Sequence, residues 1–260
     1  MNNPILSIKD VSLSYESKTG DIEALQSISF DIYPGEFVCV LGPSGCGKST
    51  LLKLIAGFED TFDGEILLEG EPIKGIDWRR GVVFQKDNLF DWLSVKDNIN
   101  YGLRMRKIDK DVIESETTTM LEKMGLTDFA DKYVYELSGG MRQRVGIGRT
   151  LINKPEIILM DEPFSALDAL TREQLQDFLR DLWFEKRMLI FFITHDIDEA
   201  MTLGTRLLLM SSRPGRIIND IKLDYTYQIS KDKNSRRNLS KDYFELRREL
   251  YNSIKSSIVD

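Results

Sequence analysis

Residues 42–50, Gly42-Pro43-Ser44-Gly45-Cys46-Gly47-Lys48-Ser49-Thr50, fit the pattern G-x-x-x-x-G-K-[ST]. The residue types explain the pattern. Glycines let backbone N–H groups wrap phosphate oxygens with no Cβ in the way, and the start of a following helix adds partial positive charge. Lys48 supplies a full charge for the β/γ-phosphates, and the Ser49 hydroxyl can ligate Mg²⁺. A second pair of chemical groups, Asp161-Glu162, follows the apolar run Ile157-Ile158-Leu159-Met160. A buried strand there would deliver two carboxylates to the edge where open α/β sheets bind ligands. Asp161 is placed to hold Mg²⁺ directly or through water, and Glu162 to polarise an attacking water. Taken alone, the pair could equally be a solvated acidic strand end.

Positioning these groups requires particular elements. Residues 5–15 alternate with a period near two, as a half-buried strand does. A strand region at 22–33 closes at Pro34-Gly35, and Glu36–Leu41 is a short apolar strand running straight into the glycine loop. Leu51, Leu52, Leu54 and Ile55 then give a helical pattern, and short strands follow at Gly64–Leu68 and Gly81–Gln85. From about 87 to 153 the pattern is helical, with amphipathic stretches at Ile113–Met124 and Met141–Ile152. After Pro155, strands return at Ile157–Asp161, Met188–Thr194 and Leu207–Ser211, with a helix at Leu170–Glu185. A helix is expected at Lys241–Ser256, with a charged linker before it.

The chain has 260 residues, 42% hydrophobic and 30% charged, enough to bury a core without disulfide staples. Its net charge of −7 argues against a nucleic-acid partner, which calls for a basic footprint. The last forty residues are net positive, and the run Lys231–Arg237 is either a solvated loop or a contact for a partner or anionic lipid. No apolar run approaches the ~18 residues of a membrane helix. Met1–Asp10 has no cationic start followed by an apolar stretch. The two cysteines, Cys39 and Cys46, have no metal-ligand spacing partner and read as structural thiols in a reducing compartment. The expectation is a cytoplasmic protein that reaches any membrane through a partner.

Leu137-Ser138-Gly139-Gly140-Met141-Arg142-Gln143-Arg144, just before the strand ending at Asp161, resembles the signature motif of ABC-type ATPases. The rest of that family's set stands in order: Tyr15 at the adenine-stacking position, Gln85 at the Q-loop, Ser165-Ala166-Leu167-Asp168 at the D-loop and His195 at the switch histidine. The resemblance covers about residues 5–220. It implies an α/β P-loop NTPase cassette with a RecA-like core, an N-terminal antiparallel β subdomain and an inserted helical subdomain. On this reading residues 1–220 are the ATPase domain, with the helical insert at about 87–153, and 221–260 are an extension with one helix, dispensable for hydrolysis. The resemblance further implies that ATP and Mg²⁺ are the cofactors and that Gln85 contacts Mg²⁺ or the attacking water. His195 would meet the γ-phosphate. Ser138, Gly139 and Gly140 would close on a nucleotide held by a second copy of the chain, so that two chains sandwich two nucleotides head to tail. Asp168 is open to two roles that can hold together: capping the next helix, and communication across that dimer.

The wording of Asn88–Asn98 resembles the ATPase subunits of bacterial importers for nitrate, sulfonates and taurine. They share the L-F-x-W-L segment seen here at Leu89, Phe90, Trp92 and Leu93, a run like Thr194–Ala200, and one like Ser212–Arg216. The chain departs from that subfamily at Leu203–Arg206. The four apolar residues are either ordinary packing or the groove that receives a membrane permease, and the resemblance implies an extracytoplasmic substrate-binding protein beyond it. Pyrimidine importers look similar in this stretch. Soluble ABC ATPases of DNA repair carry long coiled-coil insertions, whereas Lys48 and Leu137 are 89 positions apart with no heptad run. Translation-type members join two cassettes, and this chain has one. A P-loop kinase leaves the signature and switch motifs unexplained.

Overall fold

The computed structural model describes residues 3–16, 20–60, 62–86, 88–232 and 239–259. Most of the basic run 231–237, and residue 87, lie outside them. In chain order the elements are β1 (Leu6–Tyr15), β2 (Ile22–Ile32), β3 (Phe37–Leu41), α1 (Lys48–Ala56), β4 (Asp63–Leu68), β5 (Glu71–Pro72) and β6 (Arg80–Val83). Then come α2 (Val95–Met105), α3 (Lys110–Met124), α4 (Gly139–Leu151), β7 (Ile157–Asp161), α5 (Ala169–Lys186) and β8 (Leu189–Thr194). The chain continues through α6 (Ile197–Leu203), β9 (Arg206–Met210), β10 (Ile217–Lys222), α7 (Tyr225–Lys231) and α8 (Lys241–Val259). They form two compact units, one of residues 1–77 with 178–260, the other of 78–177.

The first unit holds an antiparallel sheet in the order β2-β1-β4-β5. Its alternation is visible in β1, where Leu6, Ile8, Val11 and Leu13 are buried. Register shifts between Ile8 and Leu13 bend the strand, and Asp10 there takes a left-handed φ of 49°. The same unit holds β10, β9, β3 and β8 side by side. Strand β3 is buried along its whole length and is parallel to both β8 and β9. A central strand covered on both faces needs an unbroken apolar run, which is why Phe37–Leu41 shows no alternation. Trp183 packs against Phe37 and Tyr227, and its indole N–H donates to the Gly35 carbonyl at 3.1 Å.

In the second unit β6 and β7 pair in parallel, and α2, α3 and α4 pack together. Helix boundaries follow side-chain caps. Ser94 accepts from the Asp97 N–H, Asp109 from the Asp111 N–H, and Ser138 from the Met141 N–H. Gly125 ends α3 at φ 65°, in the left-handed region that favours glycine. Gly148 lets α4 approach its neighbours, since a Cβ there would lie 3.2 Å from Met124 and 3.4 Å from Met120.

The extension differs from the sequence reading, and most of the charged linker expected before Lys241 lies outside the described residues. Residues 225–231 form α7, so the extension has two helices rather than one. Its anchors are Thr226, which donates to the Gly204 carbonyl at 2.6 Å, and the buried Ile229. With so few apolar positions, the helix has no periodic signal to show. Strand β10 was also not expected. It is held by Arg206 on β9, whose guanidinium makes two bonds to Asp220 at 2.7 and 2.6 Å.

Candidate active site

In the first unit the glycine loop joins β3 to α1. Lys48 is 5% exposed, and its ammonium donates to the carbonyls of Gly42 at 2.7 Å and Pro43 at 2.9 Å. Gly47 caps α1 at φ 102°, and a Cβ there would lie 2.8 Å from the Ala24 carbonyl. Only glycine fits. Helix α1 has no side-chain cap and no acidic residue in its first turn. Its leading N–H groups, with Ser49 and Thr50 beside them, therefore present uncompensated positive charge. The Cys46 thiol is buried, which pushes its pKa up, and Lys48 only partly offsets that; Cys39 is likewise buried and raised by burial, with Glu199 adding to it. Both are packing groups.

Strand register brings His195 to the same edge. Leu41 pairs with Thr194 across β3 and β8, so the residues that follow, Gly42 and His195, leave the sheet side by side. His195 is exposed and stands between two fixed neighbours. The Thr194 hydroxyl donates to the buried Glu199 carboxylate at 2.6 Å, and Asp196 caps α6 by accepting from the Glu199 N–H at 3.0 Å. Tyr15 ends β1, 40% exposed, with its hydroxyl donating to Glu59 at 2.7 Å. Burial and then Glu59 raise the Tyr15 pKa, so the phenol stays protonated.

The second unit places Gln85 just past β6 and Asp161-Glu162 at the end of β7, two parallel neighbours with Val83 opposite Met160. The Gln85 amide donates to the Ser165 hydroxyl at 3.2 Å, which donates to the Glu162 carbonyl at 2.9 Å. Gln85, Ser165 and the backbone carbonyl of Glu162 thus share one hydrogen-bonded chain. Glu162 holds a left-handed φ of 44°, a strain that non-glycine residues adopt only where the surroundings enforce it. Ser138 and Gly139 are exposed at the start of α4, while Gly140 is buried where a Cβ would strike the Thr171 side chain. Asp168 accepts from the Thr171 N–H at 3.0 Å, and this bond lowers its pKa. It caps α5, one of the two roles open from the sequence. Near Leu89, Phe90, Trp92 and Leu93, the buried Asn98 amide donates to the carbonyls of Phe90, Leu93 and Ser94. Trp92 stands out, 73% exposed.

Some functional partners went unread in the sequence. Ser165 stands out in the sequence only as part of its motif, and Glu199 only as an acidic helix start. The run Ser212–Arg216 served only as a family marker. In the fold it cushions the phosphate loop: the Gly215 N–H donates to the Ala24 carbonyl at 3.0 Å, and Arg213 donates to Gly45 at 3.3 Å. A Cβ on Gly215 would strike the Cys46 carbonyl.

Residues 25–165 match the family model described as ABC transporter. The chain belongs to this family. It is 49% identical over 224 residues to the taurine import ATP-binding protein TauB of Roseobacter denitrificans, covering 85% of this chain and 82% of the relative. It is 43% identical over 236 residues to the aliphatic sulfonates import ATP-binding protein SsuB of a Bacillus cereus strain, covering 91% and 93%. A solved ATP-binding cassette, a dimer in a post-hydrolysis state with ADP and Pi, superposes with a TM-score of 0.74 at 31% identity, covering 84% of this chain and 98% of that one. The α/β cassette expected from the sequence is the fold of this ABC protein, and nucleotide binding goes with the family. Among the described residues no helix is long and apolar enough to cross a membrane.

Proposed function

We propose that this chain is the ATP-hydrolysing subunit of an ABC importer. It works as a head-to-tail dimer that drives a membrane permease at the cytoplasmic face, with cargo delivered by an extracytoplasmic binding protein. The carrying observation is the β3–β8 register that sets the phosphate loop and His195 on one sheet edge. Lys48 and the amides of residues 42–50 hold the phosphates, and Tyr15 stacks on the base. Glu162 polarises the attacking water, His195 orients it and meets the γ-phosphate, and Ser138, Gly139 and Gly140 of the second copy close on that phosphate. Most of the acceleration is positioning and electrostatics.

A metal fits this chain's donors only as a shared ion. Among the described residues no group of three His, Cys, Asp or Glu side chains could cage one. That suits Mg²⁺, which binds through one or two carboxylates plus substrate phosphates. Ser49, Asp161 and Gln85 are the residues that would hold it, and the ion would neutralise charge on the phosphate oxygens. We assign the ATPase to residues 1–220 with the helical insert at 87–153, and the permease contact to Leu89, Phe90, Trp92 and Leu93. The likeness to taurine and sulfonate import proteins favours a small sulfonate as cargo.

The test is to tag the chain in its own cell, extract membranes in mild detergent and identify what co-purifies. A multi-spanning permease with a binding protein supports the reading, and the binding protein is then screened for taurine, alkanesulfonates, nitrate and pyrimidines. Purely soluble partners would overturn it in favour of a non-transport ABC ATPase.

A further inference from the structure

His195 is fixed on one side by β8, whose last residue Thr194 pairs with Leu41. On the other side it depends on α6, only seven residues long. A helix so short has no stability of its own, and its orientation comes from what grips it. One grip is local, from Thr194, Asp196 and Glu199. The other comes from far along the chain. The Asp198 carboxylate receives the Tyr243 hydroxyl at 2.7 Å and two guanidinium bonds from Arg247 at 2.8 and 3.0 Å. Tyr243 is 2% exposed and stacks edge-on with Tyr225, so it cannot follow solvent. Asp198 and Arg247 are about half exposed, and an ion pair so wet adds little to overall stability. Its bidentate geometry instead fixes direction.

We propose that α8 positions the switch histidine: Tyr243 and Arg247 hold Asp198, and through α6 they set the backbone on which His195 stands. Tyr243, Arg247 and Asp198 are positioning residues, touching no reacting atom. The proposal rests on the reading of His195 as the residue that orients the attacking water.

The chain has a single histidine, so the full-length protein gives one imidazole Cε1–Hε1 signal in a carbon–proton NMR spectrum. Arg247→Ala and Tyr243→Phe should shift or broaden that signal, while Lys241→Ala, elsewhere on α8, should leave it in place. In ATP hydrolysis Arg247→Ala should lower kcat about 3- to 10-fold with KM within about twofold, the pattern of a lost transition-state contribution. In a His195→Ala background the same change should cost nothing further. Exchanging the charges, Asp198→Arg with Arg247→Asp, should recover most of the loss. An unmoved imidazole signal overturns the proposal, as does a loss that multiplies with that of His195→Ala. If the wild-type chain fails to hydrolyse ATP, the functional reading falls, while the NMR comparison still decides whether α8 holds His195.

Discussion

At the scale of single residues, the site is built from groups whose neighbours leave no freedom. Glu162→Gln keeps the shape and removes the charge, so it should bind ATP with near-normal affinity and hydrolyse it ~10²–10⁴-fold more slowly. Equilibrium nucleotide binding beside a turnover assay checks this, and near-normal turnover would remove Glu162 from the role. Gly47→Ala meets two obstacles, the left-handed φ and the Ala24 carbonyl. The first alone costs ~1–2 kcal/mol. The variant should unfold at lower denaturant and bind ATP weakly. The motif pattern announced Gly47 and Lys48 by spacing. The strain at Glu162 was not legible, because nothing about a glutamate after Asp161 says that Ser165 will tie its carbonyl.

At the scale of elements, the segment before α2 is held by a buried polar side chain. Asn98 clasps the segment before α2, accepting from the Phe90 N–H while its two amide hydrogens are shared among the carbonyls of Phe90, Leu93 and Ser94. Asn98→Ala leaves those groups unmet and should cost ~1–3 kcal/mol. Differential thermal unfolding measures the loss, and hydrogen exchange should rise at 89–94 before it rises in α4. If this segment receives the permease, assembly should weaken while ATP affinity of the isolated chain stays unchanged. The helices of this unit were legible from their periodicity. Asn98 was not, since a polar residue inside an amphipathic helix reads as its wet face until the loop it clasps is in view.

At the scale of the whole chain, α7 and α8 place buried side chains in the core of the first unit. Cutting at Asp220 removes Leu223, Ile229, Tyr243 and Leu250, all buried, so the truncated chain should melt at a clearly lower temperature. Whether the shortened chain still hydrolyses ATP, as the sequence reading expects, is a separate outcome, read by a turnover assay below its melting temperature. Acid should release the same region. Burial opposes the charge of Asp198, but Arg247 and Tyr243 outweigh it and hold its pKa low; Arg206 does the same for Asp220 against a smaller burial effect. A carboxylate with a lowered folded pKa stabilises above its unfolded value of ~3.9 and loses that contribution as pH falls through the folded value. Stability should therefore drop below about pH 4, and Asp198→Asn with Asp220→Asn should flatten the drop. Tyr243, raised by burial and then Asp198, acts at the other end. Its contribution is intact below the unfolded tyrosine value of ~10 and declines as pH climbs above it.

The sequence by itself determined the phosphate-loop pattern, the acidic strand end and the α/β class. Each is a local pattern: glycine where the backbone must turn or approach closely, an apolar run where a strand is covered on both faces, a hydroxyl before a helix. Only the tertiary structure decided what those patterns lean on. Tyr243 and Arg247 reach Asp198 from 45 and 49 residues away, Arg206 crosses to Asp31 and Asp220, and Gly215 meets the loop at Cys46. Such pairings have no period. Their geometry exists only once β9, β10 and the last helices have packed, so no spacing along the chain could have named them.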